Sequence, residues 1–190
     1  MGSNLFVIKR ATTEATEKDA FHAKLLSMST LPDWSALLAP LVEKGKGEPL
    51  GATRFFALIT LDSGARIGLD QTGRFVLVRE EDPQLVAFSI EDAYFFHEVV
   101  ESRRRSFDEA VEESAKGLGL PAIEVSLAFP AVEIVRAVLL KNMHYTTRLA
   151  LGWLHPSELR DVRDEIKRIA TDRYTPTSLR DFAERLIVPS

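Results

Sequence analysis

Histidine is the side chain best suited to moving a proton or holding a transition metal near neutral pH. This chain has four: His22, His97, His144 and His155. His97 opens the run His97-Glu98-Val99-Val100-Glu101, which follows the zinc-hydrolase pattern H-E-x-x-H up to its last position, where Glu101 replaces the second histidine. On an α-helix His97 and Glu101 share a face, as two ligands of one metal must. Two ligands do not complete a zinc site, which recruits three or four. The ordinary expectation is therefore a partly buried histidine bonded locally among Ile90, Ala93, Phe96 and Val100, with no metal and no other cofactor. His22 falls in a polar N-terminal helix, His144 on a polar arc with Arg136, Lys141 and Arg148, and His155 before Pro156 at a helix start, where a capping or turn role fits. No two histidines have ligand spacing.

Other reactive patterns are missing. Zero cysteines remove disulfides, thiol catalysis and thiolate metal sites. Lys44-Gly45-Lys46-Gly47 is not a phosphate-binding loop, and no G-x-G-x-x-G opens a helix. Ser63, in Asp62-Ser63-Gly64, lacks the G-x-S-x-G frame of a nucleophile elbow and reads as a turn serine. Glu165-Ile166-Lys167 has the E-x-K spacing of metal-dependent nucleases, but on a helix rather than a strand. Carboxylates are plentiful: Glu80-Glu81-Asp82 in a turn, and Asp108, Glu109, Glu112 and Glu113 along a short helix.

The acidity is regional. Residues 54–120 carry 8 cationic and 13 anionic side chains, a net of −5, whereas the flanking thirds are near neutral and the whole chain has a net charge of −4. A nucleic-acid binder shows the reverse, a basic stripe with interleaved aromatics. The basic run Arg103-Arg104-Arg105 is expected to close a helix, where cations suit the carbonyl end of the dipole. The expected partner is another protein, itself basic, rather than nucleic acid or membrane. The contacts expected for it are Glu80, Glu81, Asp82, Glu109, Glu112 and Glu113. Residues 1–10 lack a signal-peptide core, and the apolar stretch 129–154 is interrupted by Glu133, Arg136, Lys141 and Arg148. A cytoplasmic location is expected.

These residues must be positioned by elements that periodicity and turn chemistry make legible. Residues 55–61, 65–69, 74–79 and 84–88 are apolar or alternating runs joined by Asp62-Ser63-Gly64, Gln71-Thr72-Gly73 and Glu80-Glu81-Asp82-Pro83. Connections this short join antiparallel neighbours, giving a meander. A strand is expected at 4–10 and helices at 14–28 and 33–43. Ser89 with Asp92 predicts a capping box for helix 90–104, and Ser106 with Glu109 a second for helix 107–116. Residues 121–128 read as a fifth strand or an extended connector. Helices at 130–153, 157–171 and 177–187 end the chain. The last two carry apolar stripes, Leu159, Val162, Ile166, Ile169 and Leu179, Phe182, Ala183, Leu186, suited to covering the domain's own core or to self-association.

Leu31-Pro32-Asp33-Trp34 with Leu37-Leu38, then Ile67-Gly68-Leu69-Asp70 and Gly73 in the meander, then the helix led by Ser89, resembles the SUKH superfamily over about residues 25–105. The resemblance implies an L-P-x-aromatic helix start, an antiparallel sheet and a serine-led helix. It also implies a function of the kind found among bacterial immunity proteins, which bind and neutralise toxins without catalysis. The Asn-Gly-Gly-like turn of the family is replaced by Lys46-Gly47-Glu48, and the C-terminal helices lie outside the resemblance. The whole reads as an α+β fold: an antiparallel β-meander of four to five strands packed by helices in a core domain, 1–128, and a C-terminal three-helix segment, 129–190. The functional expectation is a non-catalytic protein–protein interaction module with an acidic surface. The competing one is an enzyme or a small-molecule- or metal-binding domain around His97 and Glu101.

Overall fold

The computed structural model describes residues 32–81 and 85–187. The expected strand at 4–10, the helix at 14–28, His22 and Asp82 lie outside the described residues. An α+β fold results, with helix α1 (Trp34–Glu43) leading into a five-stranded sheet of β1 (Glu48–Leu50), β2 (Thr53–Thr60), β3 (Arg66–Asp70), β4 (Phe75–Val78) and β5 (Leu85–Ala87). The strands lie in sequence order with every neighbouring pair antiparallel, as the short connections require. A register shift between Ala57 and Ile59 bulges β2 against β3.

Alternation along the strands sorts the two faces. Phe56 opposes Leu69 and Ile67 opposes Leu77; these four belong to the main hydrophobic core with Leu58 and Phe75. Phe55, Val76 and Val78 point the other way and form a second cluster with Leu50, Leu85 and Ala87. The β3–β4 hairpin is held from within by Asp70, which is buried. Its Oδ1 accepts from the N–H groups of Thr72 and Arg74, at 2.8 and 3.1 Å, and its Oδ2 from Arg74 Nε at 2.9 Å. Gly73 completes that turn at φ 86° and lies against α1, where an added Cβ would sit 2.0 Å from Trp34 Cβ.

The sheet runs into a 3₁₀ helix (Ala93–Glu101), then α2 (Arg104–Leu118), α3 (Ala122–Ala128), α4 (Ala131–Lys141) and α5 (His144–Trp153). A short 3₁₀ turn (Leu159–Val162) follows, with α6 (Arg163–Thr171) and α7 (Thr177–Ile187). Four sequence expectations are corrected here. Residues 121–128 are helical, not extended: Ala122, Val125 and Ser126 are buried at helical spacing behind Pro121. The fifth strand is β1 instead. Helix 130–153 is two helices, because Asn142 takes the left-handed conformation at φ 53° and ends α4. Segment 90–104 is 3₁₀ over Ala93–Glu101, and Ser89 Oγ accepts the Asp92 N–H at 3.1 Å ahead of it. Arg103-Arg104-Arg105 does not close a helix but opens α2, so Ser106 and Glu109 form no capping box there.

One hydrophobic cluster runs from Leu38 through the sheet to Ala183, crossing residue 128, and it takes in Val162, Ile166, Ile169 and Leu179. The stripes of α6 and α7 therefore pack on the chain's own core. Among the described residues no helix is long and apolar enough to cross a membrane.

Candidate functional site

A 3₁₀ helix has three residues per turn, so i and i+3 eclipse while i and i+4 diverge by about a third of a turn. That geometry separates His97 from Glu101 and stacks His97 on Tyr94. The two rings lie 4.7 Å apart and nearly parallel, and His97 Nδ1 lies 2.9 Å from the Tyr94 carbonyl oxygen. His97 is half-buried while Glu101 is exposed. Ala93, Phe96, Val99 and Val100 take the buried face. Among the described residues no group of three or more His, Asp or Glu side chains is arranged to hold a metal.

The expected acidic contacts divide between two elements. Glu80 and Glu81 are exposed after β4; the antiparallel register brings this turn beside Asp62-Ser63-Gly64, and a Cβ on Gly64 would lie 3.5 Å from the Glu80 carboxylate. Glu98 is drawn into the same corner, accepting from Ser63 Oγ and, at 2.9 Å, from Arg79. Burial pushes its carboxyl up, but these two hydrogen bonds and the Arg79 charge outweigh it and hold the group below the usual carboxylate range. On α2, Glu109 and Glu113 are exposed and Glu112 half-buried, and Glu109 accepts from Arg105 at 2.8 Å.

Asp108 behaves differently from its acidic neighbours. Phe107, Val111 and Ala115 turn α2 into the core, and Arg104 and Asp108 flank that buried stripe. Arg104 donates from Nε to Asp108 Oδ1 at 2.9 Å, and from its two terminal nitrogens to the Glu158 oxygens at 3.1 and 3.2 Å. Its guanidinium lies 4.4 Å above the Trp153 ring, and its side chain is only 9% exposed. Asp108 Oδ2 lies 3.0 Å from His155 Nε2, and the His155 backbone N–H donates to Glu158 at 2.8 Å. Burial pushes the Asp108 carboxyl up. The His155 hydrogen bond, the Arg104 charge and the Arg104 hydrogen bond overcome that, and the group stays ionised below the usual range.

Planar guanidinium suits this position because it can fork to one carboxylate, reach a second and still stack on an indole. A cation at a helix N-terminus is opposed by the dipole; here two carboxylates offset it. The quartet pins α2 to the turn between α5 and α6. Sequence reading missed it. The i,i+4 pair Arg104/Asp108 and the interval His155-Pro156-Ser157-Glu158, a proline-started helix with an acid at its third position, were the available signals.

No protein-family model, curated protein or solved structure matches the chain.

Proposed function

We propose that the chain is a non-catalytic protein–protein interaction module of the immunity-protein kind, which binds a basic partner through an acidic surface. The contacts are Glu109, Glu112 and Glu113 on α2 and Glu80 and Glu81 after β4, together with Asp82. The observation that carries this reading is the division of charge on α2. Arg104 and Asp108 are turned inward, Arg104 shared between Asp108 and Glu158, while Glu109 and Glu113 are exposed and Glu112 half-buried; Glu109 pairs with Arg105, and Glu112 and Glu113 make no ion pair among the described residues. Carboxylates presented this way accelerate encounter with a cationic partner and discriminate against anionic ones.

Capture from a lysate of the native host at low salt supplies the partner; the deciding measurement is its association rate with the purified chain. Reversing all six carboxylates to lysine should slow association by about tenfold or more at low salt and by much less at high salt, because exposed charges are screened over about 10 Å at 0.1 M. An unchanged rate at low salt removes the acidic surface from the function.

A further inference from the structure

The end of the molecule around Asn142 concentrates apolar surface. Of the eight large hydrophobic side chains that are exposed among the described residues, Leu140, Met143 and Tyr145 lie within six positions across the α4–α5 turn, at 61%, 53% and 71% exposure. A fourth, Tyr174 at 73%, follows the end of α6, the helix that Arg168 ties to the Leu139 carbonyl of α4, and its N–H donates to Asp172 at 3.0 Å. The surface is built rather than loose. Tyr94 Oη donates to Met143 Sδ at 3.2 Å, and Arg168 donates to the Leu139 carbonyl at 2.7 Å, fixing α6 against the end of α4.

Two cations border this surface, each laid on an aromatic ring: Lys141 at 5.2 Å from the Tyr94 centroid and Arg173 at 4.8 Å from that of Tyr174. Neither makes an ion pair among the described residues. The nearby Asp172 carboxylate is already taken up by Tyr174 and Thr175. Exposed tyrosine, methionine and arginine are the side chains enriched at protein interfaces. The surface is made of helix ends and a loop and offers no strand edge, so an occupant brings its own secondary structure.

We infer that this turn docks an acidic amphipathic helix of a partner protein. Its apolar stripe covers Leu140, Met143, Tyr145 and Tyr174, and its carboxylates meet Lys141 and Arg173. This surface differs from the acidic one in element and in sign, so either can fail without the other.

The test uses the full chain, labelled for amide NMR, and two synthetic helical peptides of roughly 15 residues with leucines at i, i+3, i+4 and i+7. One carries glutamate at the remaining positions, the other lysine. The glutamate peptide should shift amides in 139–145 and 172–174, and its affinity should fall about tenfold in Lys141→Glu/Arg173→Glu and in Tyr145→Ser. These side chains are exposed, and unchanged circular-dichroism melting confirms that each variant folds. Equal binding of the two peptides, no binding of the glutamate peptide, shifts centred elsewhere, or unaltered affinity in both variants overturns the inference. Light scattering that finds a dimer or larger assembly, lost in Tyr145→Ser, assigns the surface to a second copy and also overturns it.

Discussion

At the scale of single residues, the decisive side chain is Arg104. It is buried by Trp153 and satisfied by two carboxylates on different parts of the chain. Arg104→Ala would leave Asp108 and Glu158 charged, largely buried and without their cation, a loss of about 3–5 kcal/mol. Chemical denaturation should show it as a lower midpoint with an unchanged slope, and Arg104→Lys should recover only part, since an ammonium cannot fork to Glu158 while stacking on the indole. Acid sensitivity has the same origin. Asp108, Asp70 and Glu98 are all held below their usual values in the folded protein. A lowered folded value means that the unfolded chain takes up protons first as pH falls. Their stabilisation is thus complete above the ordinary carboxylate range, about pH 4, and is lost as pH drops through the lower folded values. Asp108→Asn should flatten the decline of melting temperature between about pH 5 and pH 2. A decline as steep as in the unsubstituted chain would show that Asp108 contributes nothing to it. His155 was legible only as a capping residue, because what it faces, Asp108, is 47 positions away.

At the scale of elements, the meander was the most legible part of the sequence, since turn residues and period-two alternation both report local geometry. Helix breaks without glycine or proline were the least. Asn142 is the one non-glycine residue at positive φ among the described residues, and nothing in Leu140-Lys141-Asn142-Met143 interrupts the apolar period. Asn142→Val should destabilise by roughly 1–3 kcal/mol through backbone strain, whereas Asn142→Gly should not. Segment 121–128 was misread because Ile123, Val125 and Leu127 alternate like a strand; burial instead selects Ala122, Val125 and Ser126. The 3₁₀ geometry of Ala93–Glu101 was hidden for a related reason, since residues 93, 96, 99 and 100 satisfy both a three- and a near-four-residue period. That ambiguity is why His97 and Glu101 read as a pair and fold apart. Gly73 marks where elements touch: Gly73→Ala forces a Cβ into Trp34 and imposes strain at φ 86°, and thermal melting should register the loss of α1 from the hairpin.

At the scale of the whole molecule, charge and burial are distributed together. A single core spans the sheet and the C-terminal helices, so the proposed acidic and cationic surfaces would be displayed on one body. The SUKH-like reading extends over the first part of that body, and the cationic aromatic turn belongs to the part beyond it. Composition made the regional acidity legible in advance. The opposing patch was not legible, because its members come from three segments, near residues 94, 140–145 and 172–174, that only folding unites. A chain bearing both signs should show attraction between molecules at low ionic strength. Its second virial coefficient should rise as salt is added up to about 0.15 M, and reversing either surface should abolish that rise.

Among the described residues the two outer strands of the sheet, β1 and β5, are three residues each, and β1 contains Pro49, which has no N–H to donate. A foreign strand seeking a continuous ladder of backbone donors would find at most three residues of strand along either border. Short edges and proline are how native sheets resist uncontrolled stacking into fibrils. The consequence is a selective one: along these two borders, recognition reads side chains, by their shape and sign, more than backbone.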